Sequence, residues 1–303
     1  MNVETLAEIL REKPYLMTKS KQEIGKRLHV SPDLVNLAKA RARGGKKTPK
    51  ILLFDLETAP LKAFVFSLWK QNIAWDHTIT QWFILAWSAK WLYSEEVLSD
   101  HLTPEEAIEE NDSRILTRLR DLIDEADIVV AHNGNRADIP WMNTRFILNG
   151  LTPPSPYFSV DTCEVARKNF AFSSNKLDAL AEYFGIPHKM DTEFDLWKRC
   201  TEGDEEALRY MSEYNIKDTQ ILEEVYLKLR PWIKGHPNCG NFIESELPVC
   251  SICGSKNLTP LAGQYYYTSV GKYELFRCKE CGAVSRGRVN LRRKKVKTVS
   301  VGK

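Results

Sequence analysis

The stretch ILLFDLETAP (51–60) decides the fold. Ile51 to Phe54 and Leu56 are apolar on both sides of an extended chain, the pattern of a strand buried inside an α/β sheet. Strand alternation puts Ile51, Leu53, Asp55 and Glu57 on one face, and Leu52, Phe54 and Leu56 on the other. Asp55 and Glu57 are therefore neighbours at the strand's C-terminal end, where α/β sheets hold ligands. Taken alone, an Asp-x-Glu pair fits a strand end emerging into water equally well.

Downstream, ITQWFILAWSAKWLYSEEV (79–97) predicts two more strands, and DIVVAHN (127–133) and YFSVDT (157–162) predict one each. Thr103-Pro104-Glu105-Glu106 starts a helix on which Ile108, Ile115, Leu119, Leu122 and Ile123 keep helical spacing. Further helices are expected over 138–148, 162–170, 176–184 and 204–230. On the last, Met211, Tyr214, Asp218, Ile221 and Val225 recur at three- and four-residue steps, a buried stripe. An aspartate on such a stripe needs a partner, because gathering buried carboxylates is costly unless cations neutralise them. Asp138 opens its helix, as an acid favoured by the helix dipole or as a ligand. A strand group followed by alternating helices and strands predicts a ribonuclease-H-like α/β domain over 51–235, a mixed sheet flanked by helices.

Together, FDLET, AHNGNRADIPWMNTR and YNIKD resemble the three exonuclease motifs of the DEDD (DnaQ-like) superfamily. The Tyr214-x-x-x-Asp218 spacing resembles the DEDDy subgroup, as in proofreading domains of family B polymerases. The flanks SNKLDALAEYFGI and YNIKDTQILEEVYLKL look closer still to stand-alone bacterial and phage exonucleases. The resemblance covers about residues 51–233. It implies a 3′–5′ exonuclease with two Mg²⁺ or Mn²⁺ ions about 3.5–4 Å apart, one activating water and one stabilising the leaving oxygen. Asp55 would bridge both ions, Glu57 and Asp218 would complete the first site, Asp138 would hold the second, and Tyr214 would orient the water. One departure is Ala137, where the family commonly has an aromatic residue. His132 and Asn133 are expected to touch substrate or support the site rather than ligate metal. Asp161, at another strand end, is the alternative to Asp138. Trp82, Trp87, Trp91 and Trp141 are expected mostly in the core, with base stacking as the other reading.

Charge is unevenly spread. Residues 1–50 hold 12 basic and 5 acidic residues, 51–249 hold 19 and 33, and 250–303 hold 12 and 2. Basic ends around an acidic middle assign polyanion binding to the ends. Residues 1–43 predict a helix-turn-helix, with Ser20 and Ser31 as helix caps, Pro32 at a first helical position and SPDLVNLAKARAR as the recognition-type helix. A three-helix protein-contact module is the alternative. The linker at 44–50 and the residues before it offer Lys39, Arg41, Arg43, Lys46 and Lys47 to phosphates.

Cys250-x₂-Cys253 and Cys278-x₂-Cys281, each followed by Gly, predict a zinc ribbon over 248–286 holding one structural Zn²⁺. The alternative is a pair of redox CxxC motifs, which here lack a thioredoxin-like βαβ context. A basic tail follows at 287–303. Between the pairs, GQYYYTSVGKYELFRC predicts a β-hairpin whose tyrosines stack on bases or fill a small core. No secretory leader and no membrane-length apolar run are read, so the expected location is cytoplasmic, in a bacterial cell or in a phage host. The expected partners are DNA, with RNA as the alternative, and a polymerase or other replication, recombination or repair proteins. Competing readings are a structure-specific endonuclease, an RNA-processing nuclease and a non-catalytic DNA-binding regulator.

Overall fold

The computed structural model describes residues 1–32, 34, 35, 38, 39, 48–67, 69, 70, 72–187, 190, 192–243 and 245–292. The chain forms two compact units, one of Met1–Pro49 with Leu227–Lys303, the other of Lys50–Tyr226.

In the first unit, α1 (Val3–Glu12) and α2 (Lys21–Leu28) pack around Leu6, Leu10, Leu16, Ile24, Val35 and Ala38. The Ser20 hydroxyl accepts from the Glu23 amide at 3.1 Å and starts α2. His29 ends α2 in the left-handed region, at φ 52°. The Ser31 hydroxyl accepts from the Leu34 amide, as its capping role requires. Lys39 is a correction. It is buried, and its ammonium donates to the Lys19 carbonyl, which takes it out of the phosphate-contact set. Arg41, Arg43, Lys46 and Lys47 lie outside the described residues.

In the second unit, β1 (Ile51–Thr58), β4 (Ile84–Trp91), β5 (Val97–His101), β6 (Ile128–Ala131) and β7 (Phe158–Asp161) form one mixed sheet ordered β5-β4-β1-β6-β7. β1 is its pivot, antiparallel to β4 and parallel to β6. Between β1 and β4 the chain makes a side excursion, pairing β2 (Lys62–Ala63) with β3 (Thr78–Thr80). The helices are α3 (Pro104–Ile108), α4 (Ser113–Glu125), α5 (Asp138–Leu148), α6 (Thr162–Asn169), α7 (Leu177–Phe184), α8 (Phe194–Thr201) and α9 (Glu205–Leu229). The core gathers Leu52, Phe54, Ile84, Trp87, Leu119 and Met211. No described helix is long and apolar enough to cross a membrane.

One expected helix is two. Thr103 and Glu106 form a reciprocal capping box, but α3 stops after Ile108 and Glu110 turns left-handed at φ 56°. The break delivers Asp112 into the core, where its carboxylate accepts from the Ile84 amide at 3.0 Å, from Arg145 Nε at 2.6 Å and Nη2 at 2.8 Å, and from Asn149. A buried carboxylate held this fully outweighs the continuity of one helix.

The rest of the first unit carries an antiparallel sheet of β8 (Leu258–Tyr267), β9 (Lys272–Cys278) and β10 (Val284–Arg286), ordered β10-β9-β8. The β8–β9 pair is the expected hairpin, and Arg286 stacks over the Tyr273 and Tyr266 rings.

Candidate active site

Buried polar pins set the register of α9 against the sheet. The Ser88 hydroxyl on β4 lies 2.7 Å from the Asn215 carbonyl and 2.6 Å from the Thr219 hydroxyl, and Lys90 pairs with Glu223. They aim Tyr214 and Asp218 at the C-terminal end of β1. Asp55, Glu57 and Asp218 there offer carboxylate oxygens that all lie within 4.8 Å of one another.

Burial and then the negative charges of Asp138, Glu57 and Asp218 push the Asp55 carboxyl well above its ordinary value. Burial and then Asp218 push Glu57 up to about 8. Two side chains missing from the sequence reading brace these acids. Asn215 Nδ2 donates to Asp55 at 2.7 Å, and Trp197 Nε1 on α8 donates to Glu57 at 3.1 Å. The Trp197 ring also meets Tyr214 edge-on, with centroids 6.5 Å apart. Asn215 was legible only as the residue beside Tyr214. Trp197 carried no local signal, because it sits on a separate helix 140 positions from its partner. Trp197→Phe keeps the packing and deletes the donor.

Asp138 is buried, its Oδ1 accepts from the Leu56 amide at 3.2 Å, and burial pushes its carboxyl up to about 7. It lies outside the 4.8 Å trio, yet its charge is felt by Asp55 and Glu57. Asp161 has a different task. Its carboxylate accepts from the backbone amides of Asn133, Asn135, Cys163 and Glu164, at 2.9–3.1 Å. It shapes the turn that presents Asp138. Gly134 in that turn has no room for a side chain, since a Cβ would come within 2.3 Å of the Ala131 Cβ.

Both ring nitrogens of His132 are occupied, 2.8 Å from the Thr162 hydroxyl and 2.8 Å from the Asn175 carbonyl. The Asn175 carbonyl can only accept, so Nε2 donates to it, and the Thr162 hydroxyl beside Nδ1 also lies 3.2 Å from the Ala131 carbonyl. Burial holds the imidazole's pKa down, in the neutral form. A groove of about 450 Å³ runs past His132, Asn133, Arg167, Lys176, Tyr214 and Asp218. Of the four tryptophans expected mostly in the core, Trp87 is wholly buried, Trp91 lies under Lys50, and Trp82 packs on Trp141 at 5.9 Å.

The profile of the RNase_H superfamily matches residues 52–230, more than half of the 303-residue chain. The chain belongs to the RNase_H superfamily. Its second unit has the mixed sheet and flanking helices of an RNase H-like nuclease. Among solved structures, the family B DNA polymerase of the hyperthermophilic archaeon Pyrobaculum calidifontis is similar at 15% identity and a TM-score of 0.44. The likeness covers 60% of this chain and 25% of that one, so this superfamily member spans a quarter of the polymerase. No curated protein matches the chain.

The donor sets fit metals. Three clustered carboxylates suit a hard divalent cation such as Mg²⁺ or Mn²⁺. In the first unit, the Cys250, Cys253, Cys278 and Cys281 sulfurs lie within 4.8 Å of one another, with pairs at 3.7 and 3.6 Å. A tetrahedral zinc with 2.3 Å bonds has sulfur–sulfur edges of about 3.8 Å. Gly254 and Gly282 take φ of 77° and 78°, the left-handed turns a thiolate knuckle needs. Cys163, Cys200 and Cys239 are buried outside this cluster.

Proposed function

We propose that this protein is a divalent-metal-dependent 3′–5′ exonuclease of the DEDDy type that hydrolyses phosphodiester bonds in single-stranded DNA. The observation that carries this reading is the convergence of Asp55, Glu57 and Asp218 within 4.8 Å at one sheet end, with Tyr214 a turn away on α9. Asp55, Glu57 and Asp218 would hold one Mg²⁺ or Mn²⁺, and Asp55 with Asp138 a second. Bound there, the ions supply water activation and charge neutralisation at the phosphodiester.

The chain's own groups do the positioning. Burial, Asp218 and Glu57 raise the Tyr214 phenol above its ordinary value, so it stays protonated and can orient a water. Arg167 and Lys176 in the groove would take up phosphates of the entering strand. The N-terminal helices, as a helix-turn-helix, and the four-cysteine sheet, as a zinc ribbon, would add further contacts to the nucleic acid. A polymerase or another replication or repair protein is the expected partner.

A gel assay on 5′-labelled single-stranded DNA and matched RNA tests the reading, with Mg²⁺, Mn²⁺ or a chelator. The expected result is a metal-dependent ladder shortening from the 3′ end of DNA. Internal cuts would make the protein an endonuclease, preference for RNA would change the substrate, and no cleavage of either would remove the enzyme reading.

The site also predicts a pH dependence. The folded values of about 8 for Glu57 and about 7 for Asp138 lie above the ordinary 4.5 and 3.8. Groups raised on folding contribute stability that is complete below the unfolded values and lost as pH rises through the folded ones. The metal-free protein is therefore expected to melt at progressively lower temperature between about pH 5 and pH 8. Added Mg²⁺ should raise the melting temperature more at the upper end of this window than at the lower. Thermal melts with and without chelator read both trends, and a pH-independent Mg²⁺ shift would contradict the assigned site.

A further inference from the structure

The excursion between β1 and β4 departs one residue beyond Thr58. Its base is a short ladder: the Ala59 amide bonds the Phe83 carbonyl, Lys62 pairs with Thr80, Ala63 with Thr78, and the Phe64 amide bonds the His77 carbonyl. It is thus a hairpin-like arm rooted where Asp55 and Glu57 sit. Its outer part is apolar and exposed, with Phe64 at 75%, Phe66 at 100%, Trp69 at 83% and Trp75 at 85%. Concentrating large exposed rings in one short segment marks a contact surface rather than ordinary surface composition.

Charge says what the surface contacts. Residues 51–249 hold 33 acids against 19 bases, yet the arm from Ala59 to Trp82 carries a single acid, Asp76, with Lys62 and Lys70 as its bases. The arm is therefore much less acidic than this region as a whole, and a polyanion meets little repulsion on it. Exposed aromatic rings beside lysines, continuous with a phosphodiesterase site, suit unpaired bases, because every base offers a ring face for stacking.

We propose that this arm is a base-stacking clamp for single-stranded nucleic acid, holding the strand upstream of the scissile bond through Trp69 and Trp75. The inference rests on the nuclease reading of the neighbouring carboxylates and adds a substrate contact to it. The rungs from Ala59 to Phe64 span at most about 20 Å at 3.3 Å per residue, so a strand seated at the carboxylates can meet the arm within a few nucleotides. A strand must then be unpaired over that length to be held, which selects single-stranded over duplex substrate.

The test is binding by the full-length protein in chelator, so that no cleavage is needed. The probes are fluorescent oligothymidylate of about 20 nucleotides, longer than a typical binding site, and an abasic sugar-phosphate strand of equal length. The wild type is expected to prefer the strand with bases. Trp69→Ala and Trp75→Ala should each weaken oligothymidylate binding about tenfold, the scale of one lost stack, and leave the abasic strand unaffected. Trp69→Phe should restore most of the loss. Equal affinity of the wild type for both strands, or no effect of either alanine, would overturn the clamp. So would a change in the protein's own association state on losing the tryptophans, which would make the arm a protein interface. Absence of Mg²⁺-dependent cleavage alongside intact stacking would remove the nuclease reading and leave the clamp standing.

Discussion

Asp55→Asn is expected to abolish cleavage and, without metal, to make the protein more stable. The carboxylate faces Asp138, Glu57 and Asp218 and is held well above its ordinary pKa by burial and by their charges. A carboxamide removes the repulsion and keeps an oxygen to accept from Asn215 Nδ2. The melting temperature in chelator at about pH 8 should rise by about 2–4 °C for each kcal/mol of repulsion relieved in a unit of this size. At about pH 4, where the wild-type acids are already protonated, the gain should vanish. Activity should fall about a thousandfold or more, beyond the 10²–10³ typical of one lost transition-state contact, because Asp55 would serve both ions. The added thermal stability that Mg²⁺ confers should shrink with it. A variant both inactive and less stable in chelator would instead give Asp55 an ordinary structural role.

The second large effect is expected in the other unit. One zinc should co-purify per chain and be lost in Cys278→Ser. Structural zinc sites contribute about 10–16 kcal/mol of binding energy that is also folding energy. The apolar centre around this cluster is little more than Ile252, Ala283 and Leu258, far too small to replace it. Limited proteolysis should therefore open residues 250–286 in the variant, while the sheet of Lys50–Tyr226 keeps its protection. Unchanged protection with no zinc bound would assign the four thiols to redox chemistry.

Periodicity foretold most of the strand and helix order, because buried strands and a striped helix leave strong local signals. The break before Asp112 was hidden because its cause is tertiary. Ile108 and Ile115 keep helical spacing across the gap, and only Arg145, Asn149 and the Ile84 amide reveal why the chain stops. Lys39 misled for a related reason, since a basic run reads as surface until one ammonium finds a buried carbonyl. The carboxylates were legible because acids on apolar faces are conspicuous. Their braces, Trp197 and Asn215, were not, because tryptophan and asparagine have many structural uses. The aromatic arm carries no such signal, since side-chain type alone does not separate a core ring such as Trp87 from an exposed one such as Trp75.

The spacing of the site's supports along the chain has a consequence during synthesis. Leu56 meets Asp138 across 82 positions, Glu57 meets Trp197 across 140, and Asp55 meets Asn215 across 160. At about 5–20 residues per second, some 8–30 s separate the emergence of the first carboxylate from that of its last partner. Until α9 leaves the ribosome, the growing polypeptide holds Asp55 and Glu57 without Asp218, so the trio of carboxylates cannot assemble on an incomplete chain. A chain terminated before residue 205 would carry Asp55 and Glu57 but neither Asn215 nor Asp218, so the carboxylate cluster belongs to the nearly complete domain alone.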